Sequence, residues 1–465
     1  MVAGGSRLRR TCDPAVTSVL IAVILAGVLL VWALAPLTNA TAMNSPESKN
    51  PSSRPDPTIA TGSAKLSADP SLGVIATIPV GITPCAAVYD SANHFVYVIN
   101  EYTETVSVLN GTEVVGTIPV GVDPNSATYD SANGYVYVTN ANPFGTEGTV
   151  SVFSGMSVVD TVPVGHYPDS AAYDSGNGYV YVANSGFYAP PPMNVSVLSG
   201  TALVGSVPAG LEPTSATYDS ANGYVYVTNG GNSNVSVLSG TSVASSVPVG
   251  RDPETATYDD GNGDVYVVDT ASDNVSVLSG TSVVGSVPVG SDPYSAVYDS
   301  ANGYVYVINE HSNNVSVLHG TSVVGTVPVG DGPNSATYDS ANGYVYVTNG
   351  YSDNVSVLNG TLVVGEVGAG ADPISATYDS ANGYVYVLNY GSNTVSVIGT
   401  QPSPSTTSGW GWIAIGIVIT VAVAAAVMVA LVRRKGGSPR SASAGTALTP
   451  EPPAESGSPT QPPVR

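Results

Sequence analysis

The amino-acid sequence predicts an all-β fold, a β-propeller of about eight four-stranded blades, on three observations. A Tyr-Val-Tyr-Val motif or a close variant begins at Phe95, Tyr135, Tyr179, Tyr224, Asp264, Tyr304, Tyr344 and Tyr384, with spacings of 40, 44, 45, 40, 40, 40 and 40 residues. A period near 40 built from several short β-rich runs is that of a propeller blade, not of a helical solenoid. Each unit also breaks at turn signals into four runs. Finally, the last unit lacks one strand and the first is preceded by a spare one, as in a ring closed by its two chain ends.

The sixth unit illustrates the reading. Ser295 to Tyr298 forms a short strand of small residues (a), and Asp299-Ser-Ala-Asn302-Gly303 turns the chain into Tyr304 to Ile308 (b). After a second loop come Asn314 to Leu318 (c), the turn His319-Gly320-Thr321, and Val323 to Val329 (d). Asn-Gly between β-rich runs is a strong hairpin signal, because both residues tolerate positive φ. Small side chains suit strand a to the crowded axis. Strand d carries Pro119, Pro163, Pro208, Pro248, Pro288 or Pro328, and proline is tolerated mainly at a sheet edge, so d is expected outermost. Alternating Tyr and Val give strand b two apolar faces, which fits a sheet stacked between two neighbours. The eighth unit stops after Thr394 to Ile398, while Val74 to Val80 matches the d pattern ahead of the first a strand. It is expected to pair with the last blade and hide an open edge.

Charge narrows the function classes. Between Gly73 and Gln401 there are 28 Asp and Glu, one Arg (Arg251) and no Lys. Such a surface repels phosphate backbones, which excludes nucleic acid as a partner. The two cysteines, Cys12 and Cys85, flank the first apolar segment and cannot staple a fold.

That segment, Ala15 to Ala35, follows Arg7, Arg9 and Arg10 and precedes Ala40-Thr41-Ala42, and residues 1–42 read as a signal peptide or signal anchor. A second uncharged run, Trp410 to Val432, is long enough for a bilayer and ends at Arg433-Arg434-Lys435, a stop-transfer pattern. Both basic clusters belong inside, so residues 73–401 are expected outside the cell membrane and the tail 433–465 in the cytoplasm. The Pro- and Ser-rich stretches 43–72 and 402–409 read as spacers, and the tail has the same bias.

The repeats, for example Tyr344-Val-Tyr-Val-Thr-Asn349 followed by Asn354-Val-Ser-Val, with Val-Pro-Val-Gly at Val327 to Gly330, resemble the YVTN-type β-propeller repeats of archaeal and bacterial surface-layer proteins. The resemblance covers roughly Gly73 to Gln401. It implies an extracellular structural or adhesive role and no substrate. Relatives of that kind often have seven blades, so the resemblance leaves ring size between seven and eight.

Candidate sites are of three kinds. The a–b turns are nearly uniform, whereas the b–c loops vary and share a face with the d–a loops, so the variable face is the expected contact surface. Its two longest loops, on blades 2 and 3, carry Phe144, Phe187, Tyr188 and Met193, a candidate protein- or glycan-binding patch of an adhesin or receptor. Asn-x-Ser/Thr sequons occur at Asn110, Asn194, Asn234, Asn274, Asn314, Asn354 and Asn359, and five of them open strand c at the same point of successive blades. In the fifth blade Asp260, Asn262 and Asp264 offer oxygens at alternate positions, like the start of a calcium loop, although the expected following Gly and downstream Glu are absent. Catalysis lacks its usual ingredients. His94, His166, His311 and His319 are scattered over both faces, and the a strands offer mostly Ser, Ala and Thr, unlike the charged channels of propeller hydrolases and lyases. The expected function is that of a membrane-anchored surface-layer or display protein, with lateral self-assembly and no enzymatic activity.

Overall fold

In the computed structural model, residues 71–142, 147–186 and 193–401 are described, and they form eight antiparallel four-stranded sheets. Each sheet is a meander in the order a-b-c-d. In blade 6 the strands are Pro293–Asp299, Tyr304–Asn309, Asn314–His319 and Ser322–Pro328. Count, strand order and period agree with the sequence reading, and the ring has eight blades. The two apolar segments and the tail lie outside the described residues. Among the described residues no helix is long and apolar enough to cross a membrane.

Closure follows the strand arithmetic. Leu72–Pro79 is the outer strand of blade 8 and pairs antiparallel with Thr394–Thr400, from Leu72 opposite Thr400 to Pro79 opposite Thr394. The Gln401 amide donates to the Ser71 carbonyl at 2.6 Å, so the two ends of the propeller leave side by side. They do so at the c–d end of the blade, on the side of the a–b turns and opposite the variable face.

The core is distributed over the seams between blades. Val225 and Val227 of blade 4 pack on Tyr181, Val195 and Val197 of blade 3, while Tyr226 packs on Val265 and Val267 of blade 5. Strand b therefore has no wet face, and its Tyr-Val-Tyr-Val residues after the first are buried in every blade but for that first, half-exposed side chain. At roughly 1.5–3 kcal/mol for each fully buried valine-sized side chain, these seams dominate the stabilisation. The seam between blades 8 and 1 is built the same way: Ile78 of the closing strand joins Tyr386, Val395 and Val397 against Val96, Val98 and Leu109.

The a–b turn differs from the expected two-residue Asn-Gly hairpin. Four residues separate the paired Asp299 and Tyr304, and of Asn302 and Gly303 only the glycine has positive φ, at 74°. The reason is a double side-chain clasp. Asp299 Oδ1 accepts the Ala301 amide at 2.9 Å, and Asn302 Oδ1 accepts the Tyr304 amide at 2.9 Å. The two residues cap the hairpin's own backbone and hold asparagine out of the left-handed region.

Two tyrosines per blade carry this turn chemistry across the seam. The buried tyrosine of strand b accepts the turn asparagine's Nδ2, as in Asn222 to Tyr226 at 3.0 Å, and donates to the c–d turn of the next blade. Tyr97 reaches the Gly155 carbonyl at 3.1 Å, Tyr226 that of Gly280 at 3.0 Å, and Tyr386 closes the ring on Gly111 at 2.9 Å. The tyrosine of strand a points the other way, to the turn aspartate of the preceding blade, as Tyr129 does to Asp90 and Tyr298 to Asp259. Burial raises the phenol pKa of both sets, that of Tyr97 and Tyr226 to about 12.

Two blades depart from this scheme. In blade 1 His94 takes the turn glycine's place at φ 62°, and its Nδ1 lies 2.9 Å from the Tyr89 hydroxyl. Tyr89 faces Asp379 across the closing seam, where Asp379 Oδ2 has no hydrogen-bond partner. In blade 5 the asparagine that ends strand b is replaced by Asp269. Elsewhere that buried asparagine donates to a strand-c serine and to the first residue of strand c, as Asn309 does to Ser316 at 3.0 Å and to Asn314 Oδ1 at 2.8 Å. Asp269 has no proton to give. Ser276 donates to it instead at 2.7 Å, and Asn274 Oδ1 is left buried without a partner. Burial raises the Asp269 carboxyl to about 6, against donated bonds from Ser276 and the Gly250 amide that lower it.

Two outcomes follow from these contacts. Deleting residues 72–79 uncovers the edge of blade 8 and removes Ile78 from the closing seam, so the melting temperature of the chain should fall by on the order of 10 °C. A synthetic peptide of the same eight residues should restore part of it. For Asp269, the folded-state value of about 6 lies above the ordinary carboxyl value of the unfolded chain, so the favourable contribution is present below about pH 4 and lost as pH rises through 6. Asp269→Asn restores the missing donor and should raise stability by up to ~3 kcal/mol near pH 8, with the gain shrinking between pH 6 and 4. Melting curves of both proteins across that range check it.

Candidate interaction face

The variable face is assembled from the b–c and d–a loops, and the buried end of strand b anchors both. In blades 2, 4 and 8 its asparagine oxygen accepts an amide from the d–a loop, Asn140 from Gly121 at 3.0 Å, Asn229 from Gly210 at 3.1 Å and Asn389 from Gly370 at 3.0 Å. Side chains beyond that anchor are free to differ between blades without disturbing a seam.

At the axis, the residue after the proline that opens strand a comes from every blade in turn: Cys85, Asn125, Asp169, Thr214, Glu254, Tyr294, Asn334 and Ile374. Several of these reach round the ring to the next blade's proline carbonyl, Asn125 to Pro168 at 3.0 Å, Thr214 to Pro253 at 3.0 Å and Asn334 to Pro373 at 3.1 Å. The a strands are mostly Ser, Ala and Thr, as expected, but this ring adds charged groups to the axis. Asp169 and Glu254 belong to it. Burial raises Asp169 to about 6, with the Asp123 charge adding to the shift and a Ser185 hydrogen bond opposing it. Burial together with the charges of Asp252 and Asp169 raises Glu254 to about 7. The sequence signal was available in the most variable position of strand a, but only the ring geometry shows that these positions meet at the axis.

Chemically the axial ring holds two carboxyl groups that exchange protons near neutrality. It holds no activated nucleophile, since burial pushes the Cys85 thiol up to about 12 and its sulfur donates to the Pro124 carbonyl at 3.4 Å. Of the histidines, His94 and His319 belong to the turns of the opposite face, and His166 and His311 lie two or more blades apart on this one.

The other candidate residues are placed as follows. Phe144, Phe187 and Tyr188 lie outside the described residues. Met193 is drawn into the seam between blades 3 and 4, where its sulfur accepts the Glu212 amide at 2.9 Å. Asp260, Asn262 and Asp264 lie in the blade-5 turn on the opposite face. Asn262 serves the turn as its counterparts do, with Oδ1 on the Asp264 amide at 2.8 Å and Nδ2 on the Tyr266 hydroxyl at 3.0 Å. Asp260 is hydrogen-bonded by Tyr298. Among the described residues no three His, Cys, Asp or Glu side chains group as metal ligands.

The sequons divide into two classes. Asn194, Asn234, Asn274, Asn314 and Asn354 open strand c, and each sequon serine, from Ser196 to Ser356, is buried in the b–c network. Three of their amide nitrogens are engaged as well, Asn274 on Ser286 and Asn354 on Glu366, both at 2.6 Å, and Asn314 on the Ser312 carbonyl at 3.1 Å. Asn110 and Asn359, in contrast, are exposed at c–d turns ahead of Gly111 and Gly360, where an added Cβ would meet no neighbour.

No protein-family model matches the chain, and no curated protein matches it. Among solved structures, the C-terminal WD40 domain of Sif2 is similar with a TM-score of 0.57 and 8% identity, over 72% of this chain and 99% of that one. Hydrazine synthase from Kuenenia stuttgartiensis is similar with a TM-score of 0.48 and 17% identity, over 74% of this chain and 99% of that one. A functionally unknown protein from Desulfotomaculum acetoxidans DSM 771 gives a TM-score of 0.48 and 17% identity, over 63% and 99%. At such identities the likeness is one of fold: the chain carries a β-propeller.

Proposed function

We propose that the chain is a membrane-tethered propeller that displays its variable face outside the cell, as a structural or adhesive surface protein. The observation that carries the reading is the layout of charge and hydropathy. A domain with one Arg and no Lys lies between two apolar runs, each with its basic cluster on the side away from the domain. The side-by-side exit of both chain ends from blade 8 suits a tether, because spacers on either side would attach at one edge. The resemblance to YVTN-type surface-layer repeats supports the same role.

Antibodies against residues 71–401 should stain intact cells of the source organism. Staining only after permeabilisation would overturn the outside location. If the displayed protein is glycosylated, the folded geometry directs the glycans to Asn110 and Asn359. Peptide mapping by mass spectrometry should find those two occupied well above the five strand-c sites, whose serines are buried.

A further inference from the structure

Outside the loops of blades 2 and 3, the variable face carries a second aromatic feature, and it is an arc across blades 7, 8 and 1. Tyr351 is 78% exposed and Tyr102 76%, the two most exposed large apolar or aromatic side chains among the described residues, and Tyr390 between them is 36% exposed. Carboxylates alternate with the three rings. A Cβ built on Gly350, next to Tyr351, would stand 3.0 Å from Asp372 Oδ1, so that carboxylate reaches over the chain of blade 7. The Tyr390 amide donates to the Asp372 carbonyl at 2.9 Å, and its phenol is raised by burial and by the charges of Glu101 and Asp372. Glu101 in turn precedes Tyr102, whose amide is held by Thr83 Oγ1 at 2.8 Å. The order along the arc is thus Tyr351, Asp372, Tyr390, Glu101, Tyr102.

The backbone is shaped for this arrangement. The d–a loop position with positive φ is held in most blades by Asp, Glu or Thr, but in blade 7 it is Gly332, at φ 63°. A Cβ there would fall 2.5 Å from the Tyr351 ring, so the ring lies against the glycine backbone and any other residue would displace it.

Charge selects the occupant. Of the 28 carboxylates, 15 lie in the b–c and d–a loops or at the strand ends that enter them, against the single Arg251 in blade 5. The opposite face keeps its eight turn aspartates buried. Exposed tyrosine rings flanked by carboxylates attract ammonium and guanidinium groups, through the ring quadrupole and through ion pairing together. We propose that the arc Tyr351–Tyr390–Tyr102 docks a Lys- or Arg-rich segment of a partner protein. A second copy of this acidic face is repelled. Within the tethered reading above, the chain ends leave from the other face, which presents the arc away from the membrane; the docking itself does not depend on that reading.

The test is binding of a fluorescein-labelled decalysine peptide to the full chain in detergent at about 0.1 M salt, by fluorescence anisotropy. Replacing Tyr102, Tyr351 and Tyr390 together by Ser, which leaves every charge in place, should weaken binding about tenfold, whereas the triple change to Phe should keep it within about threefold. Asp252→Asn, Asp273→Asn and Asp292→Asn together, on blades 5 and 6, should also stay within about threefold. Unchanged melting temperatures would confirm that the variants fold. Equal binding by the Ser variant, loss on blades 5 and 6 as large as on the arc, or retention of the chain by the neutral polysaccharide dextran without decalysine binding would overturn the proposal. Because the assay uses solubilised protein, its failure is separate from failure of the cell-staining experiment.

Discussion

Each seam of the ring depends on a tyrosine whose ring is fully buried between two blades and whose hydroxyl must still find partners. A single four-stranded blade buries neither face of its b strand, so no blade holds its shape alone. The strand-b tyrosine solves both problems at once: its ring fills the seam, and its hydroxyl accepts from its own turn asparagine and donates to a glycine carbonyl of the next blade. An unsatisfied hydroxyl at that depth would cost about 1–3 kcal/mol, so the turn sequence and the buried tyrosine are bound to each other. This is why Asp-x-x-Asn-Gly and Tyr-Val-Tyr-Val recur together rather than separately.

The same constraint divides the disc into two unequal faces. On the a–b side each turn aspartate and asparagine is committed to backbone and seam, and substitution there propagates into the core. On the b–c side the commitment ends with one buried asparagine, beyond which loops differ in length and charge. Function is therefore expected where the packing demands end, a physical reason that precedes any likeness to other propellers.

Departures from the repeat have different consequences depending on which side of that boundary they fall. Asp269 lies inside it, and the lost donor leaves Asn274 with an unmet oxygen and a carboxyl group held in burial. His94 also lies inside, at the seam between blades 8 and 1, and engages the Tyr89 hydroxyl that faces Asp379. Gly332 lies outside and costs no seam contact; it makes room for an exposed tyrosine. Asp169 and Glu254 sit at the axis, where the blades converge and the two carboxyl groups share a common electrostatic environment.

Strand number, strand order, the inner and outer strands and the closing strand, read as Val74 to Val80 and found at Leu72–Pro79, were legible in the linear pattern, because period, turn residues and edge prolines are local signals. So was the placement of variability on one face. The a–b turn was read only in part, since a side-chain clasp by Asp299 and Asn302 competes with the two-residue hairpin that Asn-Gly alone suggests. The axial pair Asp169 and Glu254 and the arc Tyr351–Tyr390–Tyr102 were not legible, although each residue is plain in the sequence. Asp169 and Glu254 are separated by 85 positions, and Tyr102 and Tyr390 by 288. Local pattern specifies what each blade is, but neighbourhood across a closed ring depends on how many blades intervene and on which faces their loops emerge, and those exist only once the last strand has met the first.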